Sequence, residues 1–392
     1  MNQQILSHIR AALAEHPQLA GWLLYDYRGR NQLGLRLLDP SFSTPLTRRF
    51  FFWVPSKGEP VKIVHAVDEA HAGGLPGKTV LYSSWQELES ELFSVVKWGQ
   101  TIAMEYWTTE LLPSQSLLDA STKEWLERKS IQVVSSWPLI GPLVGQLSSH
   151  QKTTYRETAA ALESALKASW SWLTHELSHK REPTEIMLQE RLIKEMVEQG
   201  LSFDSPPIVA AGPHTAEPHH IPQSHRIGPN MVVLIDAWGK FASPNAPYAD
   251  FTQVFYTGKK VPDMLQKVYQ VTHQAQEVTI KFVETCLEAS CSITGAEVDD
   301  VCRTVINAYG FGKCFSHRTG HNIFTSVHGP GPNFDNFETR DTRVISPDTC
   351  YSIEPGIYIP KTYGIRLECN LLIEPNGRSS VFNRSPPAIP FL

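Results

Sequence analysis

No stretch of the chain approaches the ~20 consecutive apolar residues of a membrane-spanning helix, so no membrane partner is expected. There is no Lys/Arg block and no basic stripe interleaved with aromatics. With a formal net charge of −5, nothing supports a phosphate-binding surface, and nucleic acid is not an expected partner. The opening Met-Asn-Gln-Gln-Ile-Leu-Ser-His-Ile-Arg lacks the charged-then-apolar plan of a secretory signal, so a cytoplasmic location is expected. Cysteine is sparse: Cys286, Cys291, Cys302, Cys314, Cys350 and Cys369 all fall in the second half without a C-x-x-C pairing. Reduced, mostly buried thiols are expected in that compartment, and a structural zinc site of thiolates is not. Neither Gly-x-Ser-x-Gly nor His-Glu-x-x-His occurs, which removes the simplest serine-hydrolase and zinc-protease readings.

At 392 residues, with 41% hydrophobic and 19% charged residues, the chain is long enough for two globular domains. The first part mixes short apolar strands, such as Trp22-Leu23-Leu24-Tyr25 and Phe50-Phe51-Phe52-Trp53-Val54, with helical stretches near 2–15 and 113–128, an α/β pattern. From about Ser148 to Leu177, Tyr155, Ala159, Leu162, Leu166, Trp170 and Leu173 recur three or four apart, which predicts a long helix. The domain boundary is therefore placed at 147/148, giving domains 1–147 and 148–392. Further helices are expected from Pro183-Thr184 through Met196 and over about 262–287, with a strand at Ile208-Val209-Ala210 between them.

Chemistry concentrates in the last 160 or so residues. Met-Val-Val-Leu-Ile-Asp (231–236) reads as a buried strand delivering Asp236 at its tip, and Asp-Phe-Thr-Gln-Val-Phe-Tyr-Thr-Gly (250–258) reads as a second strand opened by Asp250. His317 and His321 lie in His-Arg-Thr-Gly-His, with His328 seven residues beyond His321. Glu354 stands in Ser-Ile-Glu-Pro-Gly, and Glu368 in Gly-Ile-Arg-Leu-Glu. Four carboxylates and one imidazole suit Mn²⁺, Co²⁺ or Zn²⁺. Four negative charges balance two divalent cations. Without metal, crowding those acids would raise their pKa values and cost stability.

Together these motifs resemble the pita-bread metallopeptidases, the family of methionine aminopeptidase, aminopeptidase P, prolidase and creatinase, and the proline-specific branch fits best. The resemblance covers residues 151–392 strongly and the first 150 loosely; Pro218-His219 falls where the family has a substrate-binding His. It implies an α+β protein whose C-terminal pita-bread (creatinase/aminopeptidase) fold follows a smaller α/β N-terminal domain. It also implies a dinuclear metallopeptidase that cleaves the Xaa-Pro bond of dipeptides or short peptides by metal-bridged hydroxide attack. Manganese is the first choice of metal, with cobalt or zinc as alternatives. By the same resemblance Asp250 and Glu368 bridge the ions, Asp236 completes one coordination sphere, and His321 with Glu354 complete the other. Glu354 handles the proton, His328 and His219 steady the intermediate and the substrate carbonyl, Arg366 contacts substrate or orients Glu368, and His317 lines the proline pocket. A homodimer is implied as well, with the first domain contributing to its interface.

Taken singly, each residue has a plainer explanation: a turn or cap Asp, a solvated loop Glu, an edge-strand charge at Glu368, a hydrogen-bonded His, an Arg366 paired with Glu368. Five such accidents in order are improbable. Two other classes remain: a creatinase-like C–N hydrolase, which works without these ligands, and a non-catalytic pita-bread binding protein. The complete ligand set disfavours both. The chain departs from the family in a long 14-residue Asp-to-Asp interval holding Pro244 and Pro247, in Gln253 where Arg is common, in Asn322 and Phe324 beside His321, and in Gly329 after His328. Those bulky and proline insertions are expected to narrow the channel beyond the proline and favour dipeptides, with Arg366 meeting the free carboxylate.

Overall fold

The computed structural model describes residues 3–38, 46–72, 74–107 and 112–391. Its internal contacts divide the chain into two units, Met1–Val144 and Gly145–Leu392.

The first unit runs α1 (Gln3–Glu15), β1 (Gly21–Tyr27), α2 (Gln32–Leu38), β2 (Arg49–Pro55), β3 (Val61–His65), β4 (Lys78–Tyr82), α3 (Trp85–Val95), β5 (Thr101–Met104), α4 (Ala120–Glu127), β6 (Gln132–Ser135) and the single turn α5 (Trp137–Ile140). Its six strands form one mixed sheet in the order β4-β3-β2-β1-β5-β6. Strands β1 and β2 read as unbroken apolar runs because both sheet faces are covered. Trp22, Leu24, Phe50 and Phe52 enter one core, and Leu23, Tyr25, Phe51 and Trp53 the other. The helix expected over 113–128 is shorter, beginning only at Ala120. Leu117 and Leu118 donate their backbone N–H groups to the Glu105 carbonyl, and Asp119 caps the helix through Thr122, so the chain before it is held as a turn.

In the second unit the order of elements repeats. A long helix, α6 (Ser149–Ser178), and a short one, α7 (Glu185–Glu198), precede β7 (Leu201–Ser202), β8 (Ile208–Ala211), β9 (Val232–Phe241) and β10 (Ala249–Tyr256). A second long helix, α8 (Asp263–Glu288), and a second short one, α9 (Gly295–Ala308), precede β11 (Asn322–Ile323), β12 (Cys350–Ile353), β13 (Gly356–Ile359), β14 (Tyr363–Arg366), β15 (Cys369–Ile373) and β16 (Ser379–Phe382). Local sequence starts these helices: Ser148 with Gln151 and Thr294 with Glu297 form capping boxes, and Thr184 caps α7. Tyr155, Leu162, Leu166 and Leu173 of α6 pack with Leu188 and Leu192 of α7 against Val233, Ile235 and Ala237 of β9. The next residues along β9, Val232 and Leu234, face the opposite way into a core with Val268 and Tyr269 of α8 and Cys302 and Ile306 of α9. The strands are thus sandwiched between two helix pairs. All six cysteines are free thiols.

Candidate metal centre

Pairing of β9 with β10 brings the first two acids together. The register sets Asp236 opposite Thr252 and Asp250 opposite Trp238, so all four side chains share one face of the hairpin. His321 arrives on the segment entering β11. Gly320 makes this entry possible, because a Cβ there would lie 2.0 Å from the Ser352 carbonyl oxygen. Ser352 then fixes the neighbouring residue: its Oγ accepts from the His321 backbone N–H at 3.0 Å. Glu354 follows β12, and Glu368 stands between β14 and β15.

Ligand atoms of Asp250, His321 and Glu368 all lie within 4.8 Å of one another. His321 Nε2 is 3.6 Å from Asp250 Oδ2 and 3.5 Å from Glu354 Oε1, too long for good hydrogen bonds and suited to a shared cation. Its Nδ1 faces the Asn322 carbonyl at 3.2 Å, which places the proton on that nitrogen and leaves Nε2 a lone pair. Asp250 Oδ1 and Glu368 Oε1 are buried with no hydrogen-bond partner. A native interior rarely leaves two carboxylate oxygens orphaned, so their presence fits a divalent-cation site. Thr252 Oγ1 lies 2.9 Å from Asp236 Oδ1 and 2.8 Å from Glu368 Oε2, one hydroxyl proton for two acids. Asp236 stands a little apart from the other acids, with Oδ2 paired to Arg366 at 2.6 Å.

Electrostatics agree. Burial first, then the charges of Asp236 and Glu354, push the Asp250 carboxyl well above its usual range. Burial and Asp250 do the same to Glu368. Glu354 is pushed up to about 7 by burial, against the opposing pull of Arg366. Burial and His328 hold His321 well below an ordinary imidazole. Cations would reverse this strain by replacing the protons.

The sign of that linkage gives a test. These carboxylates bind protons more tightly in the folded state, so their contribution to metal-free stability is present at low pH and lost as pH rises toward and beyond 7. Melting in chelator is therefore expected to fall between pH 5.5 and 8, while the gain from added Mn²⁺ grows over the same window. An equal gain at both pH values would separate metal binding from these acids.

The remaining predicted residues line the same cavity of about 990 Å³. His328 meets His321 edge-on at 4.4 Å, and His219 is exposed at the wall. His317 is pushed down to about 3, chiefly by burial and then by the charge of Arg366. Its Nδ1 faces the Arg318 carbonyl and its Nε2 the Tyr358 hydroxyl, both at 2.8 Å. With both nitrogens occupied, a neutral ring face is what it can offer a ligand.

Arg366 differs from expectation. Its Nε donates to Thr252 at 3.1 Å, Nη1 to Tyr358 Oη at 3.1 Å and to the Pro218 carbonyl at 3.3 Å, and Nη2 to Asp236. It orients Asp236 rather than Glu368, and its fork is filled by protein partners, which leaves little for a substrate carboxylate. The expected channel narrowing is also corrected: Pro244, Pro247, Asn322 and Phe324 do not line the cavity. Asn322 is turned inward, donating to the Cys350 carbonyl and accepting from Gly331 N–H, while Phe324 packs on the helix core.

Sequence reasoning missed Arg318, Asp204 and Trp238. Arg318 lines the cavity, and its guanidinium has no hydrogen-bond or ion-pair partner among the described residues. Its neighbour His317 was a signal for it. Trp238, two residues beyond Asp236, shares its face by strand alternation and donates to Asp204 at 2.9 Å. Nothing local marked Asp204.

The cluster and its fold can now be compared with known proteins. Residues 153–375 match the model of metallopeptidase family M24. The chain belongs to that family. It is 32% identical over 218 residues to a Xaa-Pro dipeptidase of Pyrococcus horikoshii, covering 55% of this chain and 57% of that one. Against a Xaa-Pro dipeptidase of Lactobacillus delbrueckii the figures are 30% over 218 residues, covering 55% and 54%. The chain thus spans about half the length of the curated relatives it matches. The fold is shared with dipeptidase PepE from Mycobacterium ulcerans (TM-score 0.76, 21% identical, covering 99% of this chain and 97% of that one). It is also shared with an X-prolyl aminopeptidase from Caenorhabditis elegans described as a cytosolic enzyme with a di-nuclear active site (TM-score 0.65, 18% identical, covering 94% and 58%).

Proposed function

We propose that this chain is a Xaa-Pro peptidase of the cytoplasm, cleaving the bond before proline in dipeptides or short peptides with two divalent ions, manganese foremost. The observation that carries the reading is the set of buried Asp250, His321 and Glu368 with half-buried Asp236 and Glu354, two of whose oxygens lack partners, lining an open cavity. Assaying Ala-Pro with Mn²⁺, Co²⁺ or Zn²⁺ added to the metal-free chain tests it. Absence of turnover with every metal would sink the proposal.

Asp250 and Glu368, with Asp236 on one side and His321 and Glu354 on the other, would hold the two ions. Two such ions would polarise the scissile carbonyl and acidify water beside it. As the C–N bond breaks, the leaving proline nitrogen must take up a proton, which the attacking water supplies through a side chain. Glu354 is assigned to take that proton from water and pass it on, a role its position beside His321 on the cavity wall supports. The neutral face of His317 packs on the proline ring. His328 and His219, on the cavity wall, donate to the substrate carbonyl and to the charge that develops on it. Arg366 holds Asp236 and Thr252 in place.

The substrate carboxylate is assigned to Arg318, beside His317, since Arg366 is engaged. Arg318→Ala is expected to lower kcat/KM for Ala-Pro by roughly tenfold, the worth of one charge-assisted hydrogen bond, and to leave Ala-Pro-amide nearly unchanged. Equal losses on both substrates would place the carboxylate elsewhere. The same reading favours Ala-Pro over Ala-Pro-Ala.

The chain is further proposed to act as a homodimer, which light scattering would report as about twice the 44.0 kDa chain mass. A mass of one chain at micromolar concentration would remove that part of the proposal.

A further inference from the structure

The segment from Ala211 to Gln223 leaves β8, forms a short 3-10 turn at Gly212–Ala216 and carries Pro218 and His219 to the cavity wall. Such a segment has little regular structure to hold it. One buried carboxylate fastens both its ends. Glu185, the first residue of α7, is fully buried. Its Oε1 accepts from the Ala211 backbone N–H at 2.8 Å and faces His214 Nδ1 at 2.8 Å; its Oε2 accepts from the Gln223 N–H at 3.0 Å and faces His220 Nε2 at 2.9 Å.

His214 in turn stacks on His220 at 4.3 Å and leans against His225 at 4.4 Å. Burial alone would raise the Glu185 carboxyl, yet the bonds from His220, Gln223, His214 and Ala211 hold it below its usual range. Four donors fill the positions a carboxylate can offer. Glu185, His214 and His220 could geometrically hold an ion, but an ion would displace hydrogen bonds that are already well formed. The segment is fastened further by Ile186 of α7, whose N–H donates to the Gln223 carbonyl at 3.3 Å, and by β14 and its strand end: Gly364 N–H donates to Thr215 Oγ1 at 2.8 Å, and Arg366 to the Pro218 carbonyl at 3.3 Å. The crest between them, with Glu217 and His219, is exposed.

We propose that Glu185 is a positioning residue for substrate binding: it clamps the 211–223 segment at both ends and thereby sets where His219 meets the substrate, without touching the substrate itself. The proposal rests on the Xaa-Pro peptidase reading. A carboxylate is required because only an all-acceptor group matches four converging donors. Glutamine would turn an N–H₂ toward two of them.

The test uses the full-length metal-loaded chain. Glu185→Gln is expected to raise KM for Ala-Pro about tenfold with kcat within about threefold, and to leave metal content at the wild-type level. Hydrogen exchange of the amides in 212–223 should accelerate. In the His219→Ala background the same change should add nothing further to KM, since the clamp acts through that side chain. Should Glu185→Gln not fold, His214→Leu, at a partly exposed position, removes one of the four bonds and should shift KM and exchange in the same direction by less. Additive effects of the Glu185 and His219 changes would overturn the proposal, as would unaltered exchange in 212–223. Loss of an ion from a third site in Glu185→Gln would overturn it too, in favour of a metal site. A wild-type chain inactive on every Xaa-Pro peptide would defeat the functional reading, while the exchange measurement would still decide whether Glu185 clamps the segment.

Discussion

His321→Ala is expected to abolish turnover, by about a thousandfold or more in kcat, and to lower bound metal from two ions toward one per chain. His321 lies between Asp250 and Glu354, 3.6 and 3.5 Å from their oxygens, and is almost wholly buried. Its removal takes away the single neutral ligand among the five and leaves carboxylates facing one another across an empty volume. A ligand lost from a buried acid cluster weakens the cation and its water together, so binding and chemistry fail as one. Stability should fall by about 1–3 kcal/mol with the fold intact, the usual cost of deleting a packed side chain. Elemental analysis and circular dichroism on the same sample check both halves. A variant that kept two ions, or kcat within tenfold of wild type, would show that His321 is not a ligand.

Glu354→Gln probes proton handling while preserving shape. Glutamine keeps one oxygen, at the position that accepts from the Ser352 hydroxyl at 3.2 Å and faces His321, and puts an amide NH₂ in place of the other. What it loses is charge and basicity. In the metal-free chain burial pushes this carboxyl up to about 7 against the pull of Arg366; a bound cation would draw it down to a carboxylate able to accept a proton from water. The expected fall in kcat is about 10²- to 10⁴-fold at saturating metal, with KM little changed. Near wild-type kcat would end the proton-transfer assignment. Recovery by raising metal alone would reduce Glu354 to a ligand. The two variants are distinguishable because the first fails with metal absent and the second with metal present.

Neither experiment concerns the parts of the site that the sequence left illegible. Asp236, Asp250, His321, Glu354 and Glu368 were readable because each sits in a local motif whose residues have a backbone reason to be there: a strand tip, a glycine that lets His321 pass Ser352, a Pro-Gly after Glu354. Helix starts were readable for the same reason, since a capping box is a four-residue event. The helix over 113–128 was overextended because the bonds that hold 117 and 118 run to Glu105, outside any local window.

Partner choice is where local reading fails. Side-chain periodicity says which face a residue occupies, and it says nothing about which distant strand shares that face. Arg366 looks like a neighbour of Glu368 along the chain, yet it reaches across to Asp236, 130 residues away, because β14 lies against the hairpin. Asn322 and Phe324 read as bulk in a channel, but the turn at His321 directs them into backbone and core. Arg318 was hidden beside a more conspicuous histidine, and Glu185 beside nothing at all: its four donors come from 26 to 38 residues away. The sequence by itself determined the types of residue that gather in the site, the capped helix starts and the family, because these depend on residue type and short spacing. Only the tertiary structure decided which acceptors Arg366 meets and which donors Glu185 meets, because a hydrogen bond is allotted by proximity in space after every closer claim has been met.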